Sequence, residues 1–277
     1  MQLLQPRHSL CHSHTTLPQL ETADLFHSHL NQPAMKLNRL SNGVLRPLLK
    51  HLATSRTFSS SSTSASSVPK WDGGVSMVQG ASRGIGLEFE TANAVRNKYG
   101  SLNLLINTSG ILSIPDVLHP ETTSSKVQQS SLLLAYEVNA VGPILVTKHM
   151  WPLLKVGGGS GTEREVAVVA NLSARVGSIG DNRLGGWHSY RASKAALNQL
   201  TKTMCVEFAR RKDPLICLLL HPGTVDTDLS RPFQRNVPED KLFSIEFSVQ
   251  KLLSIINNAK NPDNGKFFAW DGSEIPW

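Results

Sequence analysis

Largely apolar runs of five or six residues recur along the chain from residue 74 onward. Runs of this length are typical of strands in a parallel sheet whose two faces are covered by helices. Longer segments of helical character separate them, at roughly 129–154, 187–211 and 247–259. This alternation predicts an α/β fold with a doubly wound, Rossmann-like parallel sheet. The predicted strands are 74–78, 102–107, 166–170, 215–220 and 266–270.

The N-terminal part of the chain has a different composition. Residues 35–70 contain no acidic residue, and their basic residues alternate with leucines before a serine-rich stretch. Such a composition is typical of an organelle transit peptide, and Arg56-Thr57-Phe58-Ser59 resembles a mitochondrial cleavage signal. We therefore predict a mitochondrial transit peptide at 35–70, with a chloroplast address and a disordered basic linker as alternatives. Residues 1–34 are predicted to be a disordered extension, and 71–277 to form the Rossmann-type domain.

Charge and cysteine content exclude several function classes. The formal charge of +7 is concentrated in the first 70 residues, which carry a net +5 and leave +2 for the remainder. A nearly balanced domain gives no support for nucleic-acid binding. Three cysteines are too few for a disulfide framework and indicate a reducing compartment. Cys11, His12 and His14 lack further ligands at finger-like spacing, so no metal site is predicted. No membrane span is predicted, because we find no sufficiently long apolar run.

A glycine-rich turn follows the first predicted strand and precedes a helical segment. Glycines permit a tight turn, and they allow a pyrophosphate to approach the free N–H groups at the start of a helix. The turn is therefore predicted to bind a nucleotide-type cofactor. Its candidate residues are Gly80, Ser82, Arg83, Gly84, Ile85 and Gly86.

A phenol and an ammonium lie four residues apart in Tyr190-Arg191-Ala192-Ser193-Lys194. On a helix this spacing places both side chains on one face. A lysine so close favours the phenolate, so we expect it to lower the pKa of Tyr190. Such a phenol can donate or accept a proton at a carbonyl or alcohol oxygen.

Together with the glycine turn, this stretch makes the chain resemble a short-chain dehydrogenase/reductase. The resemblance extends over 71–277 and includes Asn107-Thr108-Ser109-Gly110, Asn139, and Pro222-Gly223-Thr224-Val225-Asp226-Thr227. The C-terminal residues are similar to those of C-factor-like and sniffer-like carbonyl reductases. The resemblance implies that Tyr190 is the acid/base, that Lys194 is its electrostatic partner and ribose anchor, and that Asn139 supports a proton-relay water. It implies cofactor contacts by Asn107, Gly110, Tyr190, Lys194, Pro222, Gly223, Val225 and Thr227.

The substrate-binding serine is less regular. The family pattern has two consecutive serines, of which the second polarises the substrate carbonyl. Here Ser173 aligns with the first serine and Ala174 with the second. Ser173 is the candidate if the turn is shifted by one residue, and Ser178 is the alternative. Asn107 and Asn139 also have structural alternatives, as a strand-end cap and as a partner of the backbone at a helix kink.

The resemblance also implies a cofactor and partners. Arg83 in the glycine turn favours a 2′-phosphate and hence NADP(H), with NAD(H) as the alternative. The substrate is expected to be a small carbonyl or alcohol compound. The segment 229–243 is expected to cover the pocket. A homo-oligomer is expected to form through the helices near 129–154 and 187–211, which the family uses to dimerise.

One part of the family pattern is missing between Gly86 and Asn107. Only 21 positions separate these residues, whereas related chains place roughly sixty or more there, because each strand–helix–strand crossover needs about thirty residues. We therefore predict that the family's second and third strands, with their adenosine contacts, are absent. The family's sheet order is 3-2-1-4-5-6-7, so the direct link should place its helix on the face opposite the phosphate-binding helix, unless the crossover is left-handed. The first strand would become an exposed edge.

Two function classes follow from these observations. The motifs predict an NADP(H)-dependent oxidoreductase that acts on a carbonyl or alcohol. The missing elements predict a catalytically impaired, truncated isoform that is non-enzymatic or mixes with full-length subunits. Cofactor titration of the purified protein separates the two.

Overall fold

A computed structural model describes residues 74–80, 95–158 and 164–277. The predicted extension and transit peptide lie outside these residues. So does most of the glycine turn, with the candidates Ser82, Arg83, Gly84, Ile85 and Gly86.

Within the described residues the strands are β1 Ser76–Gln79, β2 Leu104–Asn107, β3 Ala167–Leu172, β4 Leu215–His221, β5 Thr224–Val225, β6 Leu242–Phe243 and β7 Phe267–Ala269. Five of them form the main parallel sheet, in the order β1-β2-β3-β4-β7. Its central register aligns Val78, Ile106, Ala170 and Leu218 across four neighbouring strands. Two very short strands, β5 and β6, form a separate parallel pair after β4.

In the part of the chain that the structure describes, four longer helices connect the strands: α1 Gln129–Tyr136, α2 Gly142–Gly157, α3 His188–Arg210 and α4 Ile245–Asn258. A π-helical turn, Glu137–Val141, joins α1 to α2, so the predicted helix at 129–154 is interrupted in its middle. A short helical segment at 95–99 precedes β2. Ser244 begins α4 by accepting a hydrogen bond from the Phe247 N–H.

The helices pack on both faces of the sheet, as a doubly wound fold requires. One apolar layer combines Val146 and Met150 of α2 with Phe208 of α3 and the inward side chains of β2, β3 and β4. The other combines Leu252 and Ile256 of α4 with the opposite side chains of the same strands. The central strands are therefore apolar on both faces, which explains their continuous apolar sequences. The predicted α/β, Rossmann-like class is confirmed.

The link from β1 to β2 ends on the same face as α2 and α3. Val95 of the helical segment 95–99 packs against the apolar layer that contains Val146 and Phe208. The connections from β1 to β2 and from β2 to β3 run in the same direction across the sheet. The described end of the first, at 95–99, lies on the same face as α2 of the second. This is the placement predicted for a direct link between the family's first and fourth strands.

Strand β1 is an edge of the sheet, as the short link predicts. Its neighbour is β2, and no further strand pairs with its other side within the described ranges. Val78 is 64% exposed, although it lies in the middle of the strand. An apolar edge of this kind exposes unpaired backbone groups and favours intermolecular strand pairing.

The helical run 129–157 is long and apolar enough to cross a membrane, a feature that our sequence analysis did not predict. Length and composition are weak evidence for a span, because core helices of globular domains share them. Val146, Met150 and Leu154 of this run are buried against the sheet. The run therefore has the contacts of a core helix.

Candidate active site

A cavity of about 730 Å³ lies beyond the carboxyl ends of β3 and β4. Ser173 and Ala174, which follow β3, line it together with His221 and Pro222 at the end of β4. Tyr190 of α3 lines it as well. This edge of a doubly wound sheet is the usual place for ligands. Val225, Thr227 and part of the segment 229–243 also contribute, including Leu229 and Phe233.

Tyr190 and Lys194 lie in the first two turns of α3. The Lys194 Nζ lies 5.8 Å from the centroid of the Tyr190 ring. It donates a hydrogen bond of 2.9 Å to the carbonyl oxygen of Leu172, at the end of β3. Lys194 is only 3% exposed. The spacing in sequence therefore brings the two side chains together, and the backbone of β3 fixes the ammonium group.

Burial affects the two side chains in opposite directions. It raises the pKa of Tyr190 to about 12, because an apolar environment disfavours the phenolate. It lowers the pKa of Lys194 to about 8, because the ammonium is desolvated. The expectation that Lys194 lowers the pKa of Tyr190 is therefore wrong, because burial outweighs the nearby ammonium. Tyr190 is a protonated phenol near neutral pH and is suited to donate a proton.

Replacing Lys194 with methionine is expected to stabilise the protein against urea at pH 7, by about 1–3 kcal/mol. The unfolded chain holds this proton up to about pH 10.4, whereas burial lowers the pKa in the fold to about 8. Below pH 8 the buried ammonium therefore lowers the unfolding free energy by its full amount, and this loss disappears as the pH rises towards 10.4. The gain should be largest at pH 7 and much smaller at pH 9.5.

The control is Lys148→Met, because Lys148 is exposed on α2. Urea unfolding of all three proteins at both pH values measures the effect. A stability difference for Lys194→Met that does not change with pH would contradict the buried charge.

Asn139 lies in the π-helical turn between α1 and α2 and is fully buried. Its Oδ1 accepts a hydrogen bond from the Ile111 N–H at 2.7 Å, and its Nδ2 donates to the Ile111 carbonyl at 2.9 Å. Nδ2 also donates to the Ser193 Oγ at 2.9 Å. Asn139 thus pairs with backbone at a helix irregularity, the structural alternative left open by the sequence. It connects the loop after Gly110 to the helix that carries Tyr190.

Ser173 and Ser178 differ in their access to the cavity. Ser173 lines it, and its hydroxyl donates a hydrogen bond of 2.6 Å to the Asn198 Oδ1. Ser178 is 1% exposed, and its hydroxyl accepts a hydrogen bond from the Asp181 N–H. Of the two candidates, Ser173 therefore has the position from which a hydroxyl can reach a ligand.

Asn107 is placed in the interior of the domain. Its Nδ2 donates to the Asn171 Oδ1 at 2.7 Å and to the Thr147 Oγ1 at 3.2 Å. The Asn171 Nδ2 in turn donates to the Thr201 Oγ1 at 2.8 Å. This buried network joins β2 and β3 to α2 and α3, so the contacts of Asn107 are those of a structural group.

The remaining candidate glycines occupy three different settings. Gly80 follows β1 and is exposed. A Cβ on Gly110 would lie 3.5 Å from the Lys194 Nζ and 3.6 Å from the Asn139 Oδ1, so Gly110 borders the catalytic candidates. Gly223 has a φ of +81°, and a Cβ there would meet the Phe243 ring at 2.5 Å. The loop of Pro222 and Gly223 therefore keeps its shape only with glycine.

Two residues that the sequence analysis missed hold the start of α3. The Glu121 carboxylate is 3% exposed and accepts hydrogen bonds from the N–H and the hydroxyl of Ser189. Trp187 precedes α3 in a left-handed conformation (φ 51°), and its N–H donates to the Glu121 carbonyl. The Trp187 ring contacts Tyr190 and Phe233 at centroid distances of 6.3 and 5.1 Å. The pair Gly185-Gly186 signals the turn before Trp187, but no local pattern indicates Glu121.

Removal of the Glu121 side chain is expected to loosen the helix start next to Tyr190. Glu121→Ala leaves two buried donors of Ser189 unpaired, which should cost roughly 2–3 kcal/mol of unfolding free energy. Glu121→Gln retains an acceptor oxygen and should cost less than half of that. Urea unfolding, with amide exchange at the start of α3, measures both effects.

Glu137→Ala is the matched control, because Glu137 is exposed in the π-helical turn. If Glu121→Ala proves no more destabilising than this control, Glu121 does not anchor α3.

His221 ends β4 and lines the cavity. Burial, followed by the positive charge of Arg175, lowers its pKa to about 4. The imidazole is therefore neutral near pH 7 and adds no positive charge to the cavity. Its Nδ1 is buried and has no hydrogen-bond partner among the described residues.

Comparison with known proteins gives consistent matches. Residues 89–238 match a family model described as short chain dehydrogenase. The C-signal of Myxococcus xanthus is 32% identical over 178 residues, which cover 64% of this chain and 94% of that protein. The 1-hydroxy-2-glutathionyl-2-methyl-3-butene dehydrogenase of a Rhodococcus species is 36% identical over 141 residues, covering 51% of this chain and 56% of that protein. The chain thus spans just over half the length of the latter.

The fold is shared with solved structures, of which two are carbonyl reductases. The carbonyl reductase Sniffer of D. melanogaster matches with a TM-score of 0.60 and 27% identity, over 70% of this chain and 74% of that chain. A carbonyl reductase from chicken fatty liver, with NADPH bound, matches with a TM-score of 0.61 and 29% identity, with the same coverage.

Proposed function

Because the chain belongs to the short-chain dehydrogenase family, we propose that it carries the active site of an NADP(H)-dependent oxidoreductase for carbonyl or alcohol groups. One observation carries this proposal. Tyr190 and Ser173 line the same cavity, and the Nζ of the buried Lys194 lies 5.8 Å from the centroid of the Tyr190 ring. A neighbour of the same fold is a carbonyl reductase with NADPH bound. In the direction of carbonyl reduction the Tyr190 phenol is the proton donor, because burial raises its pKa to about 12 and keeps it protonated.

The proposed roles of the side chains follow from their positions. The Tyr190 phenol donates its proton to the substrate oxygen as that oxygen gains negative charge. The Ser173 hydroxyl binds the same oxygen after turning from Asn198. The Lys194 ammonium stabilises the resulting phenolate, and its pKa near 8 keeps most of it charged at pH 7. Asn139 positions α3 through Ser193.

The residues around the cavity fit the nicotinamide half of the cofactor. Gly110 leaves space beside the Lys194 Nζ that a Cβ would reduce. Lys194, Val225 and Thr227 would hold this half, and the rigid loop of Pro222 and Gly223 would border it. The bound cofactor supplies the hydride for the carbonyl carbon.

The adenosine half of the cofactor has no comparable site among the described residues. Strand β1 is an edge and Val78 is 64% exposed, where the family has two more strands. The short helix at 95–99 lies on the face of the sheet that α2 and α3 cover. It therefore does not form the start of a phosphate-binding helix on the opposite face. We therefore also propose the alternative function from the sequence analysis. In this alternative the 277-residue chain is catalytically impaired, because its affinity for NADP(H) is low.

The reaction is tested in a lengthened chain. Roughly forty residues, the strand–helix–strand segment of the chicken carbonyl reductase, are inserted between Gly86 and Asn107. We expect this chain to oxidise NADPH in the presence of a panel of aldehydes and ketones. A lengthened chain that binds NADPH and reduces no carbonyl compound would refute the proposed reaction.

Association with a second copy is proposed through α1 and α3. These helices pack against each other and expose Leu133 and Tyr136 on α1 and Val206 on α3. The same surface would allow mixing with full-length subunits. Sedimentation of the purified chain tests the association.

We also propose mitochondrial targeting, with the chloroplast as the alternative, from the acid-free basic composition of residues 35–70. These residues fused to a fluorescent protein are expected to direct it to mitochondria. Fluorescence microscopy measures the distribution. A diffuse cytosolic signal would contradict the targeting proposal.

A further inference from the structure

Arginine side chains dominate the charged lining of the cavity. Arg175, Arg183 and Arg191 line it, and Asp181 is the one carboxylate among its described lining residues. All four belong to the segment between the end of β3 and the second turn of α3. The described wall therefore carries a net charge of +2 on this side.

The three arginines differ in their hydrogen-bond and ion-pair partners. Arg175 forms an ion pair of 2.9 Å with Asp181. Arg191 donates to the carbonyl oxygens of Gly185, Gly186 and Val176, none of which is charged. Arg183 is exposed and forms no hydrogen bond or ion pair with any residue that the structure describes. Arg183 is thus the guanidinium that remains available to a ligand.

The rest of the cavity is predominantly apolar. Leu112, Val176, Trp187, Leu229 and Phe233 contribute apolar side chains. Tyr190 and Ser173 supply the groups that would meet a reacting oxygen, and His221 is neutral because its pKa is about 4. A complementary ligand has an apolar body with a carbonyl group at one end and a negative charge at the other.

We propose that the cavity selects carbonyl compounds that carry an anionic group, a carboxylate or a phosphate, and that Arg183 binds this group at the rim. This names the substrate class and therefore rests on the proposed reaction at Tyr190. A guanidinium pairs with two oxygens of either anion in a planar fork. Arg175 and Arg191 add to the attraction without releasing their own partners.

The proposal is tested by calorimetric titration of the full 277-residue chain with three aldehydes. These are 4-formylbenzoate, its neutral methyl ester and 4-formylphenyl phosphate. We expect the two anions to bind up to about fivefold more tightly than the ester, the scale of an exposed ion pair. Added salt should weaken the binding of the anions and leave the ester unchanged.

Variants of Arg183 identify the group responsible. Arg183→Gln should remove most of the advantage of the anions without affecting the ester, and Arg183→Lys should retain more of it. Arg210→Gln is the matched control, because Arg210 is exposed at the far end of α3. The comparison of carboxylate with phosphate shows which anion is preferred.

Three results would overturn the proposal: equal affinity for the anions and the ester, no binding of any of the three, or an equal loss for all three in Arg183→Gln. Failure of the proposed reaction is separate. A lengthened chain that turns over no aldehyde would refute the reaction, whereas the calorimetric difference between anion and ester would still establish the anion site.

Discussion

Tyr190→Phe is expected to lower NADPH-dependent turnover of the lengthened chain at least about 10²-fold, the scale of general acid catalysis. The substitution removes the phenol and retains the ring that contacts Trp187 at 6.3 Å. Because burial raises the pKa of Tyr190 to about 12, the phenol is protonated throughout the neutral range. The loss should therefore appear in kcat, with little change in stability.

Tyr136→Phe provides the matched control, because Tyr136 is exposed on α1. It should turn over like the parent. Ser173→Ala should cost less than Tyr190→Phe if Ser173 is displaced from the family's position. Full turnover by Tyr190→Phe would show that another group supplies the proton.

The second large effect concerns the 277-residue chain itself, which is expected to show no measurable reductase turnover. A dinucleotide gains affinity from both halves, and here the described residues fit only the nicotinamide half. The link from β1 reaches β2 directly, and its helix packs with Val146 on the face of α2 and α3. A misplacement of about 1 Å already impairs catalysis, and a helix on the other face is a far larger change.

Insertion of the strand–helix–strand segment should restore turnover. The control is an insertion of the same length made of glycine and serine, which adds chain without strands. NADPH oxidation by the three proteins measures the effect. If the glycine–serine form is as active as the lengthened chain, added chain length alone restores turnover and the inserted strands and helix are not required.

Much of this architecture could be predicted from the sequence. The buried strands β3 and β4 are continuous apolar runs, so their bounds differ from prediction by at most two residues. Helix α3 was predicted at 187–211 and spans His188–Arg210. The edge position of β1 followed from counting the residues between Gly86 and Asn107. The strands and the helix are encoded locally, whereas the edge position follows from the chain length between two motifs and the family's sheet order.

Features that depend on distant contacts were not predicted. Glu121 binds Ser189 across 68 positions, so no pattern near either residue indicates it. The sequence left open that Asn139 pairs with backbone at a helix kink, but it did not indicate that the partner is Ile111, 28 positions away. The pKa of Tyr190 was expected to fall because of the nearby lysine, but burial dominates and raises it. Burial is a property of the whole fold and is not visible in a spacing of four residues.

The most direct test of the account is calorimetric titration with NADPH of the 277-residue chain and of the lengthened chain. A site that keeps its nicotinamide half and has lost its adenosine half should bind NADPH poorly. We therefore expect micromolar binding by the lengthened chain and binding too weak to measure at micromolar concentration by the short one. Micromolar binding of NADPH by the 277-residue chain would contradict this expectation.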